Sequence, residues 1–347
     1  MSLTPHLRKL LERRATLTRP EALDLMQLIL DGRASEIQIA AILGALAARG
    51  ETAEELAGFV DAMRSAATPL PLDEGERSLL IDTCGTGGDG AYTFNISTAA
   101  ALVAAAAGAK VAKHGNRAVT STSGSADVLE SLGVPVDLTP EAGAAAIRTH
   151  GFAYLHAPTM HPAMKAVMPV RRALGVRTVF NLLGPLTNPA GARAQVMGVF
   201  AEDRVALVAD AMLMLGTRHA FVVHGFVDPR RSAGMDELSI SGPSLLAEVR
   251  DGHIHFQTVT PEELGLEPAP IAMLRGGDAS TNAAILRAVF AGKPGPCRDV
   301  VVLNAAAVLV TANRAPDLRS GVELAQQTID SGAVVSLLER IAAPGLA

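Results

Sequence analysis

Tryptophan is absent from this 347-residue sequence, and aromatic residues of all kinds reach only 3%. With so few rings, the stacking platforms that grip single-stranded nucleic acid are hard to build. Positive charge is also short. Thirty Lys and Arg face 35 Asp and Glu, a formal net charge of −5, which argues against binding a phosphate backbone on a basic face. There are two cysteines, Cys84 and Cys297, so neither a disulfide framework nor a zinc pattern is present. Long hydrophobic runs are missing as well. The longest, AAALVAAAAGA at residues 99–109, is too short to span a bilayer. The N-terminal MSLTPHLRKLLERRATLTRP carries charge where a signal peptide needs an apolar run. These absences leave an expected soluble, cytoplasmic protein with no nucleic-acid or membrane partner. What is plentiful is apolar side chain, 49% of the total, enough for a sizeable core.

Residues 4–67 read as helices only. Thr18 with Pro20 and Glu21 marks a start, and Ser35 with Gln38 and Thr52 with Glu55 are capping boxes. Apolar residues between them recur at helical spacing. TPLPLDEGER, residues 68–77, is a linker. From Leu79 the pattern alternates. LLIDTC, AKVAKHG, FAYLHA, AQVMGVF, HAFVVHG, ELSIS and DVVVLNAA read as strands. Helices are expected from about Thr98 to Gly108, over SADVLESLG, from Thr139 to Gly151, and over the closing stretch from Ser320. The predicted class is α/β: a small all-helical domain plus a larger α/β domain with a mostly parallel central sheet.

Two loops concentrate the chemistry. GTGGDG, Gly85 to Gly90, matches a dinucleotide-binding glycine pattern. The helix starts too far beyond it, and the next strand ends in basic Lys113-His114 where an acidic residue is needed. No Gly-Lys-Ser/Thr follows either, so a P-loop is excluded. What remains is a general anion cradle: free N–H groups at Gly85 to Gly88, then Asn95 to Thr98 at a helix start. The plainer reading is a tight turn with an ordinary cap. The second loop, KHGNRAVTSTSGSADVLESLG at 113–133, sets Lys113, His114 and Arg117 beside hydroxyls at a strand's carboxyl end, which suits a polyphosphate. Loops after successive parallel strands lie side by side, and that raises the odds for both.

DTCGTGGDG, FNIST, KHGNRAVTSTSGSADVLESLGV and HPAMKAVMPVRRALGVRTVFNLLGPLTNP together resemble the anthranilate phosphoribosyltransferase family, and the resemblance runs through nearly the whole chain. It implies transfer of the 5-phosphoribosyl group of phosphoribosyl pyrophosphate to anthranilate's amine, with Mg²⁺, in tryptophan biosynthesis. It also implies a homodimer through the helical domain. Residues 1–72 with about 168–188 would form that domain, and 78–167 with about 189–347 the phosphoribosyl-binding domain. By similarity, Gly85, Gly88, Asp89, Thr93, Asn95, Ile96, Ser97 and Thr98 would line the phosphoribosyl pyrophosphate site. Lys113, His114, Gly115, Asn116, Arg117, Ser121 and Ser125 would add the second loop. Asn116 and Arg171 would face anthranilate, with Gly85 touching both substrates. Lys113 and Arg171 would carry the catalysis, and Ser97, Asp236 and Glu237 the metal.

Outside the resemblance, Asp236-Glu237 reads as an exposed acidic pair, Arg171-Arg172 as a solvated helix face, and Cys84 as a small packing residue. His219, His224, His253 and His255 have no ligand spacing. One departure stands out. VVHGFVDPRRSAGMDELS holds a longer loop before the acidic pair than the family uses, which is expected either to shift the pair or to cover the cleft. Two rivals are a pyrimidine-nucleoside phosphorylase of the same fold, disfavoured by KHGNR and Arg171, and a non-catalytic nucleic-acid-binding relative, disfavoured by the net charge.

Overall fold

The computed structural model of the chain describes residues 3–118, 122–231 and 233–342. After a short helical stretch over Thr4–Leu7 and Arg8–Glu12 come helices α1 (Arg19–Leu30), α2 (Glu36–Arg49) and α3 (Ala53–Ala66). The α/β part then runs β1 (Leu80–Gly85), α4 (Ile96–Ala106), β2 (Lys110–Gly115), α5 (Ser125–Ser131), α6 (Pro140–His150) and β3 (Phe152–His156). Helices α7 (Met168–Leu174) and α8 (Phe180–Leu186) interrupt it. They are followed by β4 (Ala194–Gly198), α9 (Arg204–Met214), β5 (His219–Phe226), β6 (Gly234–Met235), β7 (Ser244–Arg250) and β8 (His253–Val259). The chain closes with α10 (Ala279–Phe290), α11 (Pro296–Thr311), α12 (Leu318–Asp330) and α13 (Ala333–Ile341).

The Thr18 start and the two capping boxes read from the sequence open these three helices. The second box also anchors the bundle. Glu55 is fully buried, accepts from the amides of Leu17 at 2.8 Å and Thr52 at 2.9 Å, and meets the Arg49 guanidinium at 2.5 Å. A buried carboxylate needs that many donors to offset its lost hydration. Val170 of α7 and Phe180, Leu183 and Leu186 of α8 pack among α1–α3. The same core takes in Met197, Ala220, Val222, Ala247 and Val249 from one face of the sheet, and Val208 and Met212 of α9. The bundle and the sheet therefore bury one apolar interior between them.

The sheet order is β3-β2-β1-β4-β5-β7-β8, with β6 beside β5. Strands β1 to β5 are parallel, and β6, β7 and β8 are antiparallel. The direction of winding reverses between β1 and β4, whose last residues Gly85 and Gly198 pair. In open α/β sheets, ligand crevices open at the carboxyl ends of strands flanking such a reversal.

Two expected strands are not strands. DVVVLNAA is the middle of α11, which is buried from Val300 to Thr311. Continuous apolar runs do not distinguish a fully buried helix from a buried strand, and the Val triplet misleads. ELSIS, from Glu237 to Ser241, has no ladder. Side chains satisfy its backbone instead: Leu238 N donates to Asn304 Oδ1 at 2.9 Å, Ser239 N to Ser244 Oγ at 2.9 Å, and Ser241 N to Ser239 Oγ at 2.9 Å. The closing helix is two, broken at Gly332 with φ +75°. The sequence reading misses the β7–β8 hairpin, although Asp251-Gly252 between two alternating runs is its turn. No helix among the described residues is long and apolar enough to cross a membrane.

Asn304, 2% exposed, also donates to the carbonyls of Leu238 and Val300, each at 2.9 Å. Asn304→Ala strips the 237–241 segment of its anchor and leaves buried groups unpaired. A loss of about 2–3 kcal/mol in urea unfolding is expected.

Candidate active site

Asp236 and Glu237 follow β6 and fold back over the crevice. A Cβ on Gly198 would lie 1.6 Å from the Asp236 carbonyl oxygen, and one on Gly85 would lie 2.3 Å from Asp236 Oδ2. Glycine at these strand ends makes the close approach possible. The long loop before the pair does not push it away. Val227 N donates to Ala233 O at 3.0 Å, Gly225 pairs with Met235, and the Arg231 guanidinium stacks on Phe226 at 4.8 Å, so the insertion turns as a hairpin on its own strand. Within the crevice, Asp236 Oδ2 accepts from Gly87 N at 2.5 Å, and Asp236 N donates to Asp89 Oδ2 at 3.2 Å. Glu237 Oε1 accepts from Ser97 N at 2.9 Å, taking up a free amide in the first turn of α4.

Lys113 lies between the two loops with only 1% of its surface exposed. Its Nζ donates to Thr83 O at 2.7 Å and to Ser97 Oγ at 3.4 Å. Beneath it is Asp82, whose carboxylate accepts from His114 N at 3.1 Å and from Asn188 Nδ2 at 2.8 Å. Burial raises the Asp82 carboxyl to about 6 against the pull of Lys113. The His114 ring lies 5.1 Å from that of His161. Burial and then the neighbouring imidazole push His114 down to about 3, so it is neutral at physiological pH. The Nε2 atoms of both rings are buried without a hydrogen-bond partner.

The remaining sequence-derived residues divide. Asn95 Nδ2 donates to Ser123 O at 3.3 Å, tying the first loop to the second, while Asn95 Oδ1 accepts from Asn282 at 2.9 Å. Thr93 bridges to Arg275. Ile96 and Thr98 are each 1% exposed, their side chains turned inward. Gly115 lies against Ser125 Oγ, which also binds the Asn116 carbonyl at 3.3 Å and Tyr154 Oη at 3.0 Å. Asn116 is exposed at the loop tip, and Ser121 lies outside the described residues. Arg117 points elsewhere, bidentate on Glu130 at 2.5 and 2.6 Å. Arg171, on α7, is half-buried over the Phe180 ring at 5.3 Å, with no acidic partner among the described residues, and desolvation lowers its pKa. Six residues on, Arg177 crosses to the first loop, donating to Gly88 O at 2.9 Å and stacking on Phe200 at 4.7 Å. The sequence reading does not single out Asp82, His161, Arg177, Asn188 or Asn282. Only the length of the HPAMK…NP block hints that its whole run matters.

The description "Glycosyl transferase family, a/b domain" matches residues 77–335, and "Glycosyl transferase family, helical bundle domain" matches residues 4–67. The chain is 51% identical over 325 residues to the anthranilate phosphoribosyltransferase of Symbiobacterium thermophilum, covering 94% of this chain and 93% of that one. It is 52% identical over 332 residues to that of Chloroflexus aggregans, covering 95% of each. The chain belongs to the anthranilate phosphoribosyltransferase family. The Thermus thermophilus family member superposes with a TM-score of 0.89 at 45% identity, over 97% of this chain and 98% of that one. The Saccharomyces cerevisiae member, solved in complex with PRPP and Mg, gives 0.87 at 28% identity, over 98% and 96%.

The anthranilate phosphoribosyltransferase resemblance implies Mg²⁺, and the donor chemistry here fits it. Burial, with Asp89 and Glu237 as like-charged neighbours, holds the Asp236 carboxyl well above the usual range, and burial raises Glu237 to about 7. Crowded carboxylates of this kind suit a hard dication. Among the described residues no three His, Cys, Asp or Glu side chains form a complete cage.

Asp82 gives a pH test. Its folded pKa of about 6 exceeds the ordinary 3.8, so the native state holds a proton that the unfolded chain releases. That contribution is whole below 3.8 and is lost as pH rises through about 6. Unfolding stability relative to Asp82→Asn should therefore fall by about 3 kcal/mol across this window, read by urea titration at each pH.

Proposed function

We propose that this chain joins the amine of anthranilate to C1 of phosphoribosyl pyrophosphate, giving N-(5-phosphoribosyl)anthranilate and pyrophosphate in tryptophan biosynthesis. We further propose that Lys113 and Arg171 carry the catalysis. The observation that bears most weight is the meeting of Lys113, Ser97, Asp236 and Glu237 at the carboxyl end of β1, beside a glycine loop with free amides. The Saccharomyces cerevisiae relative, bound to PRPP and Mg, supports the same ligands here.

In this reading, Gly85, Gly88 and Asp89 with Thr93 and Asn95 to Thr98 cradle the sugar diphosphate, Ile96 and Thr98 through the backbone. Lys113, its ammonium pinned by Thr83 O, faces the diphosphate and meets negative charge as it builds on the leaving oxygen. His114 shapes the strand end as a neutral ring. Gly115, Asn116, Ser121 and Ser125 complete the second loop. Ser97, Asp236 and Glu237 would hold Mg²⁺, a hard ion that their oxygens suit. When bound, the ion neutralises part of the diphosphate charge and so eases its departure. Arg171 offers an unpaired planar guanidinium to anthranilate's carboxylate and orients the ring. The arylamine is neutral at physiological pH, so positioning and charge stabilisation suffice and no general base is assigned. The molecule acts in the cytoplasm as a homodimer through the helical domain, on which Leu11, Ile37 and Val176 stand exposed.

Loss of anthranilate fluorescence on adding phosphoribosyl pyrophosphate and Mg²⁺ tests the reaction. An unchanged signal with both substrates and the metal present overturns it. Arg171→Ala should raise KM for anthranilate by 10-fold or more, since a charge-assisted pair contributes about 1.5–3 kcal/mol, while KM for phosphoribosyl pyrophosphate changes little. Equal losses for both substrates would remove Arg171 from that role.

A further inference from the structure

Arg117 lies in the loop that the proposed reaction assigns to a polyanion, yet its guanidinium faces three carboxylates. Besides the bidentate pair with Glu130, it lies 3.4 Å from Asp127 Oδ1 and 3.6 Å from Asp137 Oδ2. Asp137 is itself paired to His156 Nδ1 at 2.8 Å. For a diphosphate to take Arg117, it must displace Glu130 and bring its own charge up to Asp127 and Asp137. Like charges at that range oppose it.

One of these carboxylates, Asp127, also holds the loop's backbone. Asp127 Oδ2 accepts from Ala118 N at 3.0 Å and Gly124 N at 2.8 Å. The Asn116 carbonyl accepts from Ser125 Oγ at 3.3 Å and Ala126 N at 3.4 Å, and Asn116 Oδ1 from Arg117 N at 2.8 Å. The chain at 116–118 lies so close to Gly124 that a Cβ there would fall 2.4 Å from Ala118 N and 2.5 Å from the Arg117 carbonyl carbon. The start of α5 is thus a clip, and Arg117 reaches over to Glu130, one turn further along.

We propose that Arg117, Asp127 and Glu130 form a staple that sets the backbone path of residues 116–118, with Arg117 acting as a positioning residue and not as a phosphate ligand. The proposal rests on the phosphoribosyl-transfer reading for its kinetic consequence but not for its structural one. Lys113 then remains the loop's cation toward substrate, and Asn116 is delivered to the cleft by a fixed backbone.

The two roles for Arg117 differ in sign at Glu130. If Glu130 holds the staple, Glu130→Gln raises KM for phosphoribosyl pyrophosphate about three- to tenfold with kcat nearly unchanged, in the same direction as Arg117→Gln. The double variant is then no worse than Arg117→Gln alone, and Arg117→Lys recovers part of the loss. If Glu130 merely restrains a phosphate ligand, Glu130→Gln lowers KM, and that result overturns the proposal. Hydrogen exchange in the substrate-free protein gives a reading independent of catalysis. The amides of Ala118 and Gly124 should exchange faster in Glu130→Gln and Asp127→Asn, whatever the enzyme turns over. Unchanged protection in both variants also overturns the staple. Wild-type protein that leaves anthranilate untouched would sink the transfer reaction while the exchange result still decides the staple. Arg117 and Glu130 are each 42% exposed at the side chain, so the variants should stay folded.

Discussion

Like charge brought together and buried is the constraint on which this site is built. Asp89, Asp236 and Glu237 crowd one end of the sheet; burial and then Asp89 and Glu237 raise the Asp236 carboxyl, and burial raises that of Glu237. The fold compensates with the amides of Gly87 and Ser97 and with the buried ammonium of Lys113. Those amides belong to the glycine loop and to the first turn of α4, so the carboxylates also shape the cradle beside them. Removing the carboxylates would therefore release the loop as well as any ion. Holding them demands bare strand ends, and this explains why β1 and β4 both finish in glycine, Gly85 and Gly198.

The second substrate is proposed to approach from the other lobe, where Arg171 sits on α7. That lobe is not a loosely hung body. Its core is continuous with one face of the sheet. Polar ties reinforce the seam: Arg204 to Glu51 at 3.3 Å and Arg19 to the Met214 carbonyl at 2.7 Å. Arg177 adds a contact at the cleft itself, linking the segment after α7 to Gly88. Relative motion of the lobes has to leave this shared interior intact. Adjustment thus falls to the loops and to the 157–180 segment, with Gly175 in the left-handed region at φ +63°.

The sequence revealed those parts of the molecule that are governed locally. The capped helix starts, and the positions of the Gly loop after β1 and of Lys113-His114 at the end of β2, depend on residues a few positions apart, and the structure has them where the sequence puts them. What depended on distant partners did not. Asp82 looks like an ordinary strand residue until Asn188, 106 positions away, is brought onto it. Arg117 reads as a phosphate cation because the run KHGNR is basic, while in the fold its guanidinium pairs with Glu130 on α5 and with Asp137 in the connection after it. The two mistaken strands share a cause. In α11 the Val run is buried all round, and in 237–241 the backbone is satisfied by Asn304 and by serines. Burial and long-range pairing override local β preference in both.

The two loops also show how a chain of net charge −5 can be fitted for a polyanion. Global charge sets long-range steering, but a tight site is decided within a few ångströms, where screening and water are largely excluded. In the proposed reaction Lys113 is the cation toward the diphosphate, almost wholly buried and fixed through a carbonyl, so little of its rotamer freedom remains to be lost on binding. A lysine suits this position better than an arginine, because a compact ammonium can meet the Thr83 carbonyl and Ser97 Oγ from one point where a planar fork would need more room. Arginine is used where planarity counts: at Glu130 as a bidentate clamp, and at α7 as an unpaired guanidinium held over an aromatic ring. The division follows from geometry. In the proposed reaction the point charge of Lys113 meets a diphosphate that presents oxygens in several directions, and the fork of Arg171 meets a ring carboxylate that presents two in one plane.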